Sequence, residues 1–232
     1  MTGVELSAGA WLLVAGIGTL LALDGVSWPQ SMVSRPIVAA TIGGALFGAP
    51  GAGFLTGAWL ELAALRHPPY GAARYPETGP AALISGAAFA LSETGTLGAL
   101  AAAVLAGWAI GWIGTHTIAV LRAYNAGLVG DPRSVGGNLD ELERRHRAAI
   151  RLDGVRGAII SGSLFVPVVL GVRLVESWPR TSVAVPAVLV AVTVSIASLS
   201  GAGARLIGGR RSGWPAFALG TVGGLTLLWL VG

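Results

Sequence analysis

Apolar residues in this chain are grouped into blocks of two lengths. The long blocks, at residues 6–28, 97–120, 155–175, 183–206 and 214–231, are each long enough to cross a bilayer as a helix, which takes about 20 residues. Shorter apolar blocks lie between residues 36 and 91, and Pro or Gly bounds each of them. The pattern predicts an all-α, polytopic integral membrane protein whose N-terminal part contains broken or re-entrant helices.

The composition agrees with a membrane location. The 232 residues are 53% hydrophobic and only 11% charged, which is too little polar surface to cover a soluble globule of this size.

Short helices at membrane depth must be buried in protein or line a cavity, and in transporters they often mark the binding site. Close helix packing through Gly pairs such as Gly44/Gly48 and Gly53/Gly57 is a second explanation of the short, Gly-rich helices, and it is compatible with the first.

One polar segment, residues 122–156, interrupts the apolar blocks and is rich in Arg. The excess of Arg beside two predicted spans places this segment on the cytoplasmic side of the inner (plasma) membrane. It divides the chain into an N-terminal membrane region (1–121), an amphipathic cytoplasmic excursion (122–156) and C-terminal membrane helices (157–232). The net charge of +4 comes from Arg residues that lie between apolar blocks, where they orient the chain among the membrane lipids. We therefore expect no nucleic-acid partner.

Ionisable groups inside apolar blocks are costly unless they face a polar cavity or a partner. The acids and amide of the first third, together with nearby aromatic rings, would suit a sugar, whose hydroxyls need hydrogen bonds and whose ring needs an apolar face. The candidate substrate-binding residues are Asp24, Trp28, Gln30, Glu61, Tyr75 and Glu77. Trp28 and Tyr75 could equally be interfacial anchors, and Arg35 or Arg66 could form a structural ion pair with Glu61.

The sequence offers no catalytic machinery that we can identify. It has no Cys and no Lys, no His and acid spacing typical of a metal site, and no Ser with a recognisable His and acid arrangement. We therefore expect no metal, no cofactor and no enzymatic activity carried by this chain alone.

The first third resembles the IIC subunit of the mannose, fructose and sorbose family of the bacterial phosphotransferase system. The resemblance is carried by LDGVSWPQSMVSRPIVAATIGGALFGAPGAGFLTGAWLELAAL and by YGAARYPETGPAALIS. It implies a permease component that binds and translocates a sugar, a hexose or a related one, in an oligomer with a IID membrane subunit. It also implies soluble IIA and IIB proteins that pass a phosphoryl group to the sugar. By position, Asp24, Gln30, Glu61 and Glu77 match the polar candidates for the sugar path.

Two other functions remain open at this point. In a secondary transporter or channel outside the phosphotransferase system, Glu61 or His116 would handle protons. In a scaffold or regulatory homologue without transport, the buried acids would only pair with Arg. A polar passage at Glu61 favours transport, whereas carboxylates fully enclosed by guanidinium groups favour the scaffold.

Overall fold

The computed structural model describes residues 6–64, 75–129 and 139–176, and all regular structure in these ranges is helical. This confirms the prediction of an all-α protein. The predicted spans at residues 183–206 and 214–231 lie outside the described residues. Six helices are described: α1 (Ala8–Val26), α2 (Pro36–Leu46), α3 (Pro50–Ala64), α4 (Thr78–Ala90), α5 (Leu97–Val129) and α6 (Leu139–Glu176).

Helices α1, α5 and α6 are long and apolar enough to cross a membrane. The helices between α1 and α5 are shorter than a crossing requires, with 11, 15 and 13 residues in α2, α3 and α4. Pro36 is suited to the first turn of α2, where its missing N–H costs no hydrogen bond. A turn at Gly48, whose φ of 75° suits glycine, separates α2 from α3. The prediction of broken helices in the N-terminal part is confirmed.

Helix α4 forms the centre of the described structure. Every residue from Gly79 to Phe89 is buried, and α4 contacts each of the other five helices. Glycines permit the backbones of α2, α3 and α4 to lie almost in contact. A methyl group on Gly53 of α3 or on Gly86 of α4 would overlap the carbonyl oxygen of Ala40 in α2. Close packing and broken helices therefore occur together in this region.

The described residues of the polar segment 122–156 belong to two long helices, and the division of the chain at this segment remains a prediction. Helix α5 continues without a break to Val129, and α6 runs from Leu139 through residue 156 to Glu176. At 1.5 Å per residue, the 38 residues of α6 extend about 57 Å, compared with about 30 Å of bilayer hydrocarbon. Most residues in its first four turns are exposed, whereas Asp153 is completely buried. The location of this segment in the cytoplasm remains a prediction.

The far end of α6 is tied to the connection between α4 and α5. The Glu176 carboxylate accepts hydrogen bonds from the hydroxyl groups of Ser92 and Thr94 at 2.5 and 2.9 Å. It also accepts bonds from the backbone N–H groups of Glu93 and Thr94, each at 3.1 Å. These four bonds fix the end of α6 to the turn that precedes α5.

Candidate functional site

A cavity of about 640 Å³ lies among the ends of α1 and α3, the C-terminal part of α5, the starts of α2 and α4, and the connection between α1 and α2. Five of the six candidate substrate-binding residues line it: Asp24, Gln30, Glu61, Tyr75 and Glu77. Trp28, the sixth, is not part of the lining, and 69% of its surface is exposed. The structure therefore brings together polar residues that are separated by up to 53 positions in the sequence.

Asp24 connects the last turn of α1 to the segment that follows it. It is only 2% exposed. Its carboxylate accepts hydrogen bonds from the Ser31 hydroxyl at 2.7 Å, from the Ser31 N–H, and from the Ser34 N–H at 2.9 Å. Three donors compensate this carboxylate for its removal from water. Asp24 therefore holds the connection between α1 and α2 in place.

Glu61 lies on α3 and faces the beginning of α2. Its carboxylate forms an ion pair with Arg35 and accepts a hydrogen bond from the N–H of Ile37 at 3.3 Å. The first N–H groups of a helix have no partner within the helix, and a negative charge is favourable there. The Glu61 side chain is 15% exposed and that of Arg35 is 52% exposed, so this pair is open to the cavity. Arg66, the other predicted partner, lies outside the described residues.

Glu77 precedes α4 and is enclosed by protein. Its two carboxylate oxygens each accept a hydrogen bond from Arg156 of α6, at 2.6 Å in both cases. The Arg156 side chain is only 9% exposed and that of Glu77 only 5%. This bidentate, buried ion pair joins the start of α4 to α6.

Arg156 also binds two further residues, so that each of its five N–H donors has a partner. It donates to Asp153 at 2.9 and 2.8 Å and to the Thr117 hydroxyl of α5 at 3.1 Å. Asp153 in turn accepts a hydrogen bond from the hydroxyl of Ser27, just after α1. We call Ser27, Glu77, Thr117, Asp153 and Arg156 the buried junction, since they connect α1, α4, α5 and α6.

Sequence reasoning did not connect Asp153 or Arg156 with the candidate site. The only local signal is that an acid and an Arg three residues apart lie where α6 becomes apolar, at about Val155. Such a pair can form on one helix. Its connection to Glu77, 79 positions away, depends on tertiary packing.

The aromatic candidates occupy different places. The guanidinium carbon of Arg122 lies 5.9 Å from the centre of the Tyr75 ring, and both residues line the cavity. The backbone carbonyl of Tyr75 accepts a hydrogen bond from the Thr115 hydroxyl at 2.8 Å. Tyr75 is thus anchored to α5 through its backbone, with its ring near a cation.

The described parts of the chain, 6–64, 75–129 and 139–176, contain no group of three or more His, Cys, Asp or Glu residues that could hold a metal ion. The arrangement at the cavity instead consists of hydrogen-bond donors and acceptors, which suits a polar organic ligand.

Short, interrupted helices around a polar cavity, together with helices that can cross a membrane, are the architecture of a membrane transport protein. The family model described as "PTS system sorbose-specific iic component" matches residues 8–196. The chain therefore belongs to this family, the membrane IIC component of phosphotransferase sugar transport systems. Membership confirms the resemblance and favours a phosphotransferase transport subunit over the two alternatives.

Comparison with solved structures supports the fold. One similar structure, described only as "Structure of membrane protein", has a TM-score of 0.72 and 19% sequence identity. The alignment covers 98% of this chain and 93% of the other. Among the curated proteins, no sequence matches this chain.

Proposed function

We propose that the 640 Å³ cavity is the sugar-binding part of the translocation path, and that Glu61 and Gln30 contact sugar hydroxyls there. The observation that carries this proposal is the convergence of Asp24, Gln30, Glu61, Tyr75 and Glu77 on one cavity. Its volume is within the range of about 300–1,000 Å³ that is usual for small-molecule sites. The Tyr75 ring, which lines the cavity, offers a face to the apolar side of the sugar ring, whereas Trp28 lies outside the lining.

Glu61 is the acid best placed to bind a sugar directly. It is partly exposed to the cavity, and its partner Arg35 is half exposed, so the carboxylate can accept a hydroxyl without leaving a buried guanidinium unpaired. Asp24 and Glu77 also line the cavity, but protein donors already occupy their oxygens. We assign these two acids to the support of the cavity walls.

The cavity lies toward the end of the molecule where α5 ends, since Ile118 and Arg122 contribute to its lining. The Arg-rich start of α6, where Arg145 donates to the carbonyl oxygen of Leu128 near the end of α5, favours the cytoplasmic side of the plasma membrane. In this orientation, soluble IIA and IIB proteins would reach the sugar from the cytoplasm. A IID membrane subunit and further copies would complete the transport unit, with the site exposed alternately to the two sides. The transported substrate would be a hexose or a related sugar, phosphorylated on entry.

The test is sugar binding by the purified membrane complex with Glu61→Gln, measured with a panel of labelled hexoses that includes sorbose. Loss of a hydrogen bond to a charged group is worth about 1.5–3 kcal/mol, so we expect affinity to fall roughly 10- to 100-fold. The matched control is Glu143→Gln, which removes an exposed acid paired with Arg147 and should leave affinity unchanged. Binding that is undiminished in folded Glu61→Gln protein would contradict the proposed site.

A further inference from the structure

The connection between α1 and α2, residues 27–35, has an unusual backbone at the cavity. Gln30 and Met32 have positive φ angles of 60° and 67°, a conformation that costs free energy for any residue other than Gly. Both residues line the cavity. The conformation must therefore be held by other contacts.

We propose that Asp24 is a positioning residue that holds this turn so that Gln30 faces the cavity; this inference rests on the proposed function. The hydrogen bonds that Asp24 accepts from described residues come from Ser31 and Ser34. Ser31 lies between the two residues with positive φ. The Ser31 N–H belongs to the peptide that follows Gln30, so the carboxylate restrains that peptide directly and also holds the Ser31 side chain through its hydroxyl.

Side-chain packing does not provide an equivalent restraint at Met32. Its surface is 71% exposed, so little contact area favours the left-handed conformation there. Another hydrogen bond holds the far end of the connection, where the Thr78 hydroxyl donates to the carbonyl oxygen of Ser34 at 3.2 Å. That bond lies beyond Gln30 and Met32. The carbonyl oxygen of Met32 accepts a hydrogen bond from the Arg35 N–H at 3.2 Å, which closes the turn on its far side. Asp24 supplies the restraint at Ser31, between the two residues with positive φ.

A rescue experiment distinguishes a positioning role of Asp24 from that of a direct sugar ligand. Asp24→Asn keeps the size of the side chain but replaces one acceptor oxygen by a donor that opposes a backbone N–H. We expect sugar affinity to fall about tenfold. The KM for uptake should rise, while the maximal rate per folded complex remains unchanged.

The double variant Asp24→Asn/Met32→Gly should bind sugar at least threefold more tightly than Asp24→Asn alone, because Gly adopts positive φ without strain. The matched control is Met32→Ala in the same background, which removes the same side chain without relieving the backbone and should give no rescue. Ser31→Ala is a milder second variant that keeps the backbone N–H and removes only the hydroxyl donor. It should weaken binding about two- to threefold.

Amide hydrogen exchange of residues 30–35, measured without sugar, provides an independent readout. We expect faster exchange in Asp24→Asn and recovery on addition of Met32→Gly. Unchanged exchange with weaker sugar binding, or no rescue by Met32→Gly, would overturn the positioning role and make Asp24 a direct ligand. Absence of sugar binding in the unmodified complex would instead refute the proposed function, while the exchange measurement would still decide how the turn is held.

Discussion

Replacing Arg156 by Met is expected to lower the free energy of unfolding by about 3–5 kcal/mol, the usual cost of removing one partner from a buried ion pair. The substitution leaves the carboxylates of Glu77 and Asp153 enclosed without their cation, and it removes all five N–H donors of the buried junction. Arg156→Lys should recover only part of this loss, because an ammonium group has three donors and no planar fork. Unfolding in detergent micelles, followed by near-ultraviolet circular dichroism, measures the change.

The control is Arg147→Met. Arg147 pairs with Glu143 on the same helix, and both side chains are more than half exposed, so the expected change is below about 1 kcal/mol. Neutralising the two acids as well, with Glu77→Gln and Asp153→Asn, should recover stability in the Arg156→Met protein. Equal effects of Arg156→Met and Arg147→Met would show that the buried junction does not stabilise the fold.

Gly86→Ala is expected to destabilise the protein by about 3 kcal/mol, at the upper end of the usual cost of overpacking. The added methyl group would overlap the carbonyl oxygen of Ala40, which belongs to the backbone and cannot move aside as a side chain can. The same carbonyl oxygen lies against Gly53 on α3, so a shift that relieves one contact tightens the other. Thermal unfolding of the purified protein gives the difference.

Gly16→Ala is the matched control, because no described residue from another part of the chain has an atom within 4 Å of the position its methyl group would take. There, Ala should be neutral or stabilise α1 by up to about 1 kcal/mol through its higher helix propensity. A Gly86→Ala protein as stable as the Gly16→Ala protein would mean that α2, α3 and α4 are not held in close backbone contact.

The helices and the family could be predicted because their signals are local and continuous. The length of an apolar block indicates directly whether a helix can cross a bilayer, and Pro36 and Gly48 mark the boundaries of the short helix α2. The candidate residues follow from a similar argument. An acid such as Glu61 among apolar neighbours needs an explanation, and the structure places it at a cavity.

The partners of those acids could not be predicted, since sequence spacing carries no information about them. Glu77 meets Arg156 across 79 positions, and Asp153 meets Ser27 across 126. Whether Asp24 binds a ligand or holds a turn depends on the conformation of residues 30–34. The positive φ angles there belong to Gln and Met, which give no signal comparable to that of Gly.

Helix α6 is attached to its neighbours through Arg156 and, farther along, through Glu176, and these two attachments determine how the protein responds to its bilayer. Arg156 and Glu176 are 20 residues apart, which is about 30 Å along a helix and close to the thickness of the hydrocarbon layer. Since α6 is bonded to neighbouring elements at both of these depths, it cannot change its tilt independently of them. In a thinner or thicker bilayer, hydrophobic mismatch must then be relieved by deformation of the surrounding lipid or by tilting of the whole helical assembly.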